Sequence, residues 1–232
     1  MNYYRHFAAQ TLAEGVRSPF IYLVSFLFSL VGVLLLRNLD GASLEPKMME
    51  FISMALVFNG LAFLGYASIF LYAQRVFFQE KKARTLTMTL CSPASLGEVF
   101  WGKVAGLVTG AFIVPTLVML AAAAVFAPRA LLELASWKMA AALGIVLAAQ
   151  IIYAAVSGMF MLSTRDERSV SVVLYCFGGA QVFLTALTKT AAGQTMFRGI
   201  VFQYAVITAV LGLLTAAAYY LYFSKMRVLE SA

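Results

Sequence analysis

Six long apolar blocks, separated by short stretches that hold most of the charges, run through this chain of 232 residues. Each block approaches or exceeds the roughly 20 residues that a helix needs to cross the hydrocarbon core of a bilayer. Apolar residues make up 62% of the chain and charged residues 12%, whereas soluble domains average roughly 45–50% and about 25%. Too few polar residues remain to cover a water-soluble surface. The sequence therefore predicts an all-α membrane protein with a single transmembrane domain over residues 1–232.

The limits of the apolar blocks predict six transmembrane helices. The predicted spans cover residues 19–36, 48–73, 104–126, 137–162, 170–187 and 199–223. Six spans place both termini on one side of the membrane, and that side holds eleven of the 17 Lys and Arg residues. Because Lys and Arg concentrate in cytoplasmic loops, we predict a multi-pass protein of the cytoplasmic (inner) membrane with both termini in the cytoplasm.

Residues 1–17 precede the first predicted span and are predicted to form a helix of their own. The apolar residues on one side of its helical wheel are Tyr3, Tyr4, Phe7, Ala8, Leu12 and Val16. Arg5, His6, Gln10 and Arg17 fall on the other side. This pattern predicts an amphipathic helix at the interface, lying on the cytoplasmic leaflet. A disordered basic lead-in is the alternative.

The sequence offers little from which to build a catalytic or cofactor site. It has no G-x-x-x-x-G-K-[ST] loop to hold phosphates, so ATP must be bound by a partner. His6 is the sole histidine, which leaves a His-based metal site or catalytic triad without a second member. The net charge of +7 is spread over helix ends rather than along one face, so no nucleic-acid partner is predicted. We predict no catalytic residue, no metal site and no cofactor in this chain.

Polar side chains predicted at membrane depth are few. The main ones are Asn59, Gln150, Gln181 and Thr185, with scattered Ser and Thr. Such groups hold helices together or line a substrate path, and the sequence leaves both roles open. Ionisable residues are nearly absent from the predicted spans, which disfavours ion-coupled transport. The third span opens with Gly102, Gly106 and Gly110, a stripe that predicts close approach of another helix.

The longest polar interval is residues 74–103, predicted to be cytoplasmic. Its apolar residues Leu86, Met88 and Leu90 alternate with threonines, which is the period of a strand. Charges flank this stretch, Pro93 ends it, and together they indicate a surface that a partner would bury. A plain polar connector is the alternative.

The order of residues in this interval resembles the signature of ABC-2-type transporter permeases. In that family an acidic residue precedes a basic, glycine-containing stretch, a short amphipathic helix, a Ser-Pro turn and a helix that opens with Gly-Lys. The matching residues are Glu80, Leu86, Leu90, Ser92, Pro93, Gly102 and Lys103, whereas Arg84 and Thr87 replace a glycine and an acid. The resemblance implies a helical coupling loop between the second and third spans. Its ATPase-coupling residues would be Glu80, Arg84, Leu86, Met88, Leu90 and Pro93.

The resemblance also implies partners and a function. Two copies of a separate cytoplasmic ATPase subunit would bind ATP and Mg, and two copies of this permease, or this chain and a homologous one, would form the pathway in membrane lipid. Candidate pathway residues are Ser25, Ser29, Asn59, Gln181 and Thr185. The expected function is ATP-driven export of a lipid-like, amphipathic or small hydrophobic substrate, because the interior is largely apolar.

Two other functions stay open at the level of sequence. The same ATPase-coupled module could act as a scaffold that drives assembly of a surface machine instead of transport. An intramembrane enzyme would need clustered carboxylates, His or Cys at membrane depth, and the sequence offers no such cluster.

Overall fold

The computed structural model describes five stretches of the chain, with a few further positions in the predicted first span. The stretches are residues 3–17, 46–82, 94–126, 137–163 and 196–222, and the further positions are 19, 22–23, 25–27 and 30. All regular secondary structure in these residues is helical, as predicted for an all-α membrane protein. The fifth predicted span, 170–187, lies outside the described residues.

Five long helices make up the described structure. They are α1 (Tyr3–Val16), α2 (Pro46–Ala73), α3 (Leu96–Phe126), α4 (Trp137–Ser163) and α5 (Met196–Tyr222). Helix α2 continues directly into a π-helical segment, Gln74–Gln79, and a final turn, Glu80–Lys82.

Four of these helices are long and apolar enough to cross a membrane. The candidate spans are Phe58–Lys82, Leu96–Ala121, Met139–Ser163 and Tyr204–Leu221. They correspond to the predicted second, third, fourth and sixth spans. The chain is therefore a multi-pass helical membrane protein, and the total of six spans and the orientation stay predictions.

Helices α2 and α3 extend further toward each other than the sequence predicted. The predicted spans stopped at residue 73 and began at residue 104, because Arg75, Glu80, Lys81 and Lys103 were assigned to a polar interval. In the structure, residues 74–82 and 96–103 are helical. Helices continue through these charges because both lysines are buried and have hydrogen-bond partners.

The start of α3 is fixed by a capping box. Ser95 N–H donates a hydrogen bond of 2.9 Å to Glu98 Oε2, and Glu98 N–H donates one of 3.2 Å to Ser95 Oγ. This reciprocal pair satisfies two of the backbone donors that a helix start leaves without partners. Within the 74–103 interval, helix α3 therefore begins directly after Ser95, and its first turn is held by these two hydrogen bonds.

Helices α2, α3 and α4 form the packed centre of the described structure, and α5 lies at its side. In the most apolar 18-residue window of each candidate span, 61% of the residues are buried for α2 and its continuation, whereas 11% are buried for α5. The exposed residues of α5 include Leu213, Leu214 and Leu221, each at least 63% exposed. An apolar outer face of this kind suits a helix whose solvent is lipid.

Helix α1 runs alongside the first turns of α3, against the glycine stripe. A Cβ atom on Gly102 would lie 2.8 Å from the carbonyl oxygen of Tyr4, and one on Gly106 would lie closer still to that of Ala8. On Gly110 it would lie 3.7 Å from Leu12 Cδ1. Each successive glycine meets a residue four positions further along α1, so the two helices run parallel. The sequence predicted close approach at this stripe, and the approaching helix is α1.

The buried face of α1 overlaps the predicted apolar face only in part, because Phe7, Ala8 and Leu12 of that face are half-buried. Tyr4 and Val16 are each 40% exposed, whereas Thr11 is 4% exposed and Gly15 is buried. Small residues face α3 because the backbones approach closely there. Tyr72 of α2 adds a hydrogen bond of 3.1 Å to the Gly15 carbonyl. The position of α1 relative to the bilayer stays a prediction.

We expect Gly106→Ala to destabilise the protein by about 1–3 kcal/mol, the usual cost of overpacking a close contact. The added methyl group would overlap the backbone of α1 at Ala8. Gly144→Ala in α4 is the matched control, because a Cβ atom there meets nothing within 4 Å. Thermal unfolding in detergent should show a lower Tm for Gly106→Ala and no decrease in Tm for Gly144→Ala. Equal Tm values for the two variants would contradict the packing of α1 on the stripe.

Candidate functional site at the junction of three helices

The predicted coupling residues fall on either side of the limit of the described structure. Glu80 lies in the last turn that continues α2. Arg84, Leu86, Met88, Leu90 and Pro93 lie outside the described residues. Residues 83–93 connect α2 to α3. The structure shows where this connection joins the helices, at Lys82 and at Ala94.

Lys103, in the second turn of α3, is a buried cation with two partners on the continuation of α2. Its side chain is 5% exposed and forms an ion pair with the carboxylate of Glu80, whose side chain is 25% exposed. The Lys103 ammonium also lies 3.4 Å from the carbonyl oxygen of Val76. A buried charge is tolerated when it is paired and hydrogen-bonded in this way. Lys103 therefore ties α3 to the end of α2.

The π-helical segment shapes the surroundings of Lys103. Glu80 N–H donates to the carbonyl of Phe77, three residues back, whereas in an α-helix it would pair with Val76, four residues back. The Val76 carbonyl instead lies within reach of Lys103 Nζ. Short π-helical insertions are rare and occur frequently at functional sites. Here the irregular turn presents a backbone acceptor to a side chain from another helix.

Lys81 makes a second buried link, from the end of α2 to the end of α4. It is 5% exposed, and its ammonium group donates a hydrogen bond of 2.8 Å to the carbonyl of Leu162. Carbonyls in the last turn of a helix have no partner within the helix, and the helix dipole makes that end attractive to cations. Lys82, the next residue, is exposed. We call the group Val76, Glu80, Lys81, Lys103 and Leu162 the junction.

A close-packed aromatic layer supports the junction. A Cβ atom on Gly158 of α4 would lie 2.9 Å from Phe77 Cε2 and 3.0 Å from Phe100 Cε2. The rings of Phe77 and Phe100 are themselves in contact, with centroids 5.9 Å apart. The ends of α2, α3 and α4 are therefore held by packing as well as by the two lysines.

A second polar cluster lies among α2, α4 and α5, deeper in the candidate spans. Gln150 is fully buried and donates a hydrogen bond of 3.3 Å to the carbonyl of Leu61. Its amide occupies the space that a side chain at Gly65 would need. The hydroxyl groups of Tyr66 and Tyr204 are hydrogen-bonded to each other. Of the two roles that the sequence left open for Gln150, the contact with α2 favours helix packing.

Two of the five predicted pathway residues, Ser25 and Asn59, lie among the described residues. Ser25 is 1% exposed, and its hydroxyl group has no hydrogen-bond partner among the residues that the structure describes. Asn59 is partly buried in α2. Ser29, Gln181 and Thr185 lie outside the described residues. Tyr66, Tyr153 and Tyr204 were not predicted as site residues, although a tyrosine hydroxyl inside an apolar span is a signal that could have pointed to them.

An apolar cleft of about 180 Å³ opens between α3, α4 and α5. Its walls include Trp101, Ile152, Met159, Thr215, Tyr219 and Tyr220. Trp101 and Tyr219 are in contact, with ring centroids 5.6 Å apart. Aromatic and aliphatic walls with a few hydroxyl groups suit an apolar or amphipathic molecule.

Within the five described stretches, no group of three or more His, Cys, Asp or Glu side chains is placed to hold a metal ion.

Comparison with known proteins leaves the site to be interpreted from its own geometry. No protein-family model matches the chain, and no curated protein matches it.

Proposed function

We propose that this chain is the transmembrane permease subunit of an ATP-driven transporter of the ABC-2 type, and that it exports a lipid-like, amphipathic or small hydrophobic cargo. A separate cytoplasmic subunit, present in two copies, binds ATP and Mg and supplies the energy. A second copy of this chain, or a homologous chain, completes the pathway in the cytoplasmic membrane.

The observation that carries the proposal is the attachment of the connection between α2 and α3. The last turn of α2 is joined to α3 through Glu80 and Lys103 and to α4 through Lys81 and Leu162. At the other end, Ser95 and Glu98 cap α3. A partner that moves residues 83–93 would therefore act on helix ends that are fastened to one another. This is the mechanical property that a coupling segment needs.

The proposed cargo rests on the apolar cleft and the scarcity of ionisable groups. Trp101 and Tyr219 give the cleft flat apolar surfaces, and the hydroxyl-bearing side chains in its walls are Thr215, Tyr219 and Tyr220. Ionisable residues, which bind or pair with ions at membrane depth, are nearly absent from the spans as predicted from the sequence. A molecule with an apolar body and a small polar group fits these walls better than an ion does.

Reconstitution tests the proposal directly. The chain is incorporated into vesicles together with the ATPase subunit that co-purifies with it, and a fluorescent phospholipid serves as the cargo probe. We expect ATP-dependent movement of the probe between leaflets, and none with a non-hydrolysable ATP analogue. A complex that hydrolyses ATP in response to this chain but moves neither this probe nor other amphipathic probes would favour the scaffold function instead.

A further inference from the structure

The end of α2 is fastened to α4 at two successive turns. One turn deeper than Lys81, the ring of Phe77 packs on Gly158, where a Cβ atom would come within 2.9 Å of it. At the next turn, Lys81 Nζ donates its hydrogen bond of 2.8 Å to the Leu162 carbonyl. Each step is four residues on both helices, so the two contacts lie in register on parallel neighbours.

The hydrogen bond from Lys81 to the Leu162 carbonyl is difficult to replace with a hydrogen bond to water. Lys81 is 5% exposed, so losing the Leu162 carbonyl would leave an ammonium group with less solvation than water provides. Separating a buried charge from its partner is strongly unfavourable. The carbonyl at the end of a helix is also a better acceptor for a cation than one in the middle. The end of α4 is therefore expected to follow the end of α2 when α2 moves.

We infer that Lys81 is a positioning residue that carries movement of the 83–93 connection into α4, so that three helices respond to the ATPase together. The resemblance alone implied coupling at the loop between the second and third spans. The inference rests on the proposed function for the source of the movement. The link between α2 and α4 lies within this chain, so it can be tested without the ATPase subunit.

The experiment measures the distance between spin labels on Gln79 and Ser163. Both side chains are exposed, and the labels are attached to cysteines introduced in a Cys91→Ser, Cys176→Ser background. In the first arm, the chain alone is studied in lipid nanodiscs. We expect one narrow distance distribution for the parent and a broader or shifted one for Lys81→Met. Lys82→Met, which removes the same charge from an exposed neighbour, and Lys81→Arg should both retain the narrow distribution.

The second arm repeats the measurement in the complex with the ATPase, with and without trapped nucleotide. We expect the distance in the parent to be the same in both states and the distance in Lys81→Met to differ between them. A parent distance that changes with nucleotide, or a Lys81→Met distribution that matches the parent in both arms, would overturn the inference. Failure of any ATPase to assemble with the parent chain would instead overturn the proposed function, and the first arm would still decide whether Lys81 links the helices.

Discussion

Glu80→Ala is expected to lower the free energy of unfolding by about 3 kcal/mol, near the low end of the cost of breaking a buried ion pair. The Lys103 side chain is 5% exposed and would be left buried without its carboxylate. The hydrogen bond from Lys103 to the Val76 carbonyl is long, at 3.4 Å, and its acceptor carries no charge, so it offsets only part of the loss.

Removal of the lysine instead of the carboxylate is expected to lower the free energy of unfolding by a smaller amount. Lys103→Met removes the buried charge and leaves Glu80, whose side chain is 25% exposed and can turn toward water. The double variant should therefore resemble Lys103→Met rather than the sum of the two single changes. Unfolding in detergent, followed by Trp fluorescence, measures all three variants, with Lys82→Met as an exposed control. If Glu80→Ala proves no more harmful than Lys103→Met, the buried ion pair does not hold the junction together.

Leu86→Asp is expected to weaken binding of the ATPase subunit at least about 30-fold, which corresponds to about 2 kcal/mol. The expectation follows from the proposed function, in which Leu86, Met88 and Leu90 are buried by the partner. Placing a carboxylate in an apolar contact without a partner carries a desolvation cost of this size or more. Co-purification and a titration of the detergent-solubilised chain with the ATPase subunit give the affinity.

Thr87→Asp is the matched control for that experiment. Thr87 is adjacent to Leu86, and the resemblance to ABC-2 permeases implies an acidic residue at this position, so a carboxylate there should be tolerated. We expect wild-type affinity for Thr87→Asp and a folded protein of normal Tm for both variants. Equal binding by Leu86→Asp and Thr87→Asp would show that this stretch is a plain connector.

Four of the six predicted spans coincide with long apolar helices in the described residues, because the length of an apolar block is set by the thickness of a bilayer. The structure adds that helix continues past the predicted span limits near Arg75, Lys81 and Lys103. A lysine in a sequence looks the same whether water or a helix-end carbonyl surrounds its ammonium group. Only the tertiary structure shows that Lys81 reaches Leu162, which is 81 positions away in the chain. The junction could not have been found from local patterns.

The glycine stripe shows the same limit at another place. The spacing of Gly102, Gly106 and Gly110 predicted a close helix contact without identifying the second helix. The identity of α1 depends on backbone approach at Tyr4 and Ala8, which leaves no trace in a hydrophobic pattern. The apolar face drawn on a helical wheel included Tyr4 and Val16, whereas the structure buries Thr11 and Gly15. Close packing selects small residues, and a wheel that ranks residues by polarity overlooks them.

The native Cys91 tests the central claim most directly, because it lies in the connection between α2 and α3. In a Cys176→Ser variant, Cys91 is the single cysteine in the chain. The variant is produced without the ATPase subunit. A membrane-impermeant maleimide is added to right-side-out and to inside-out vesicles from the same cells. If the connection couples to a cytoplasmic ATPase, Cys91 is labelled in inside-out vesicles and protected in right-side-out vesicles until they are permeabilised. Labelling of intact right-side-out vesicles would place the connection outside the cell, where no ATPase subunit could act on it.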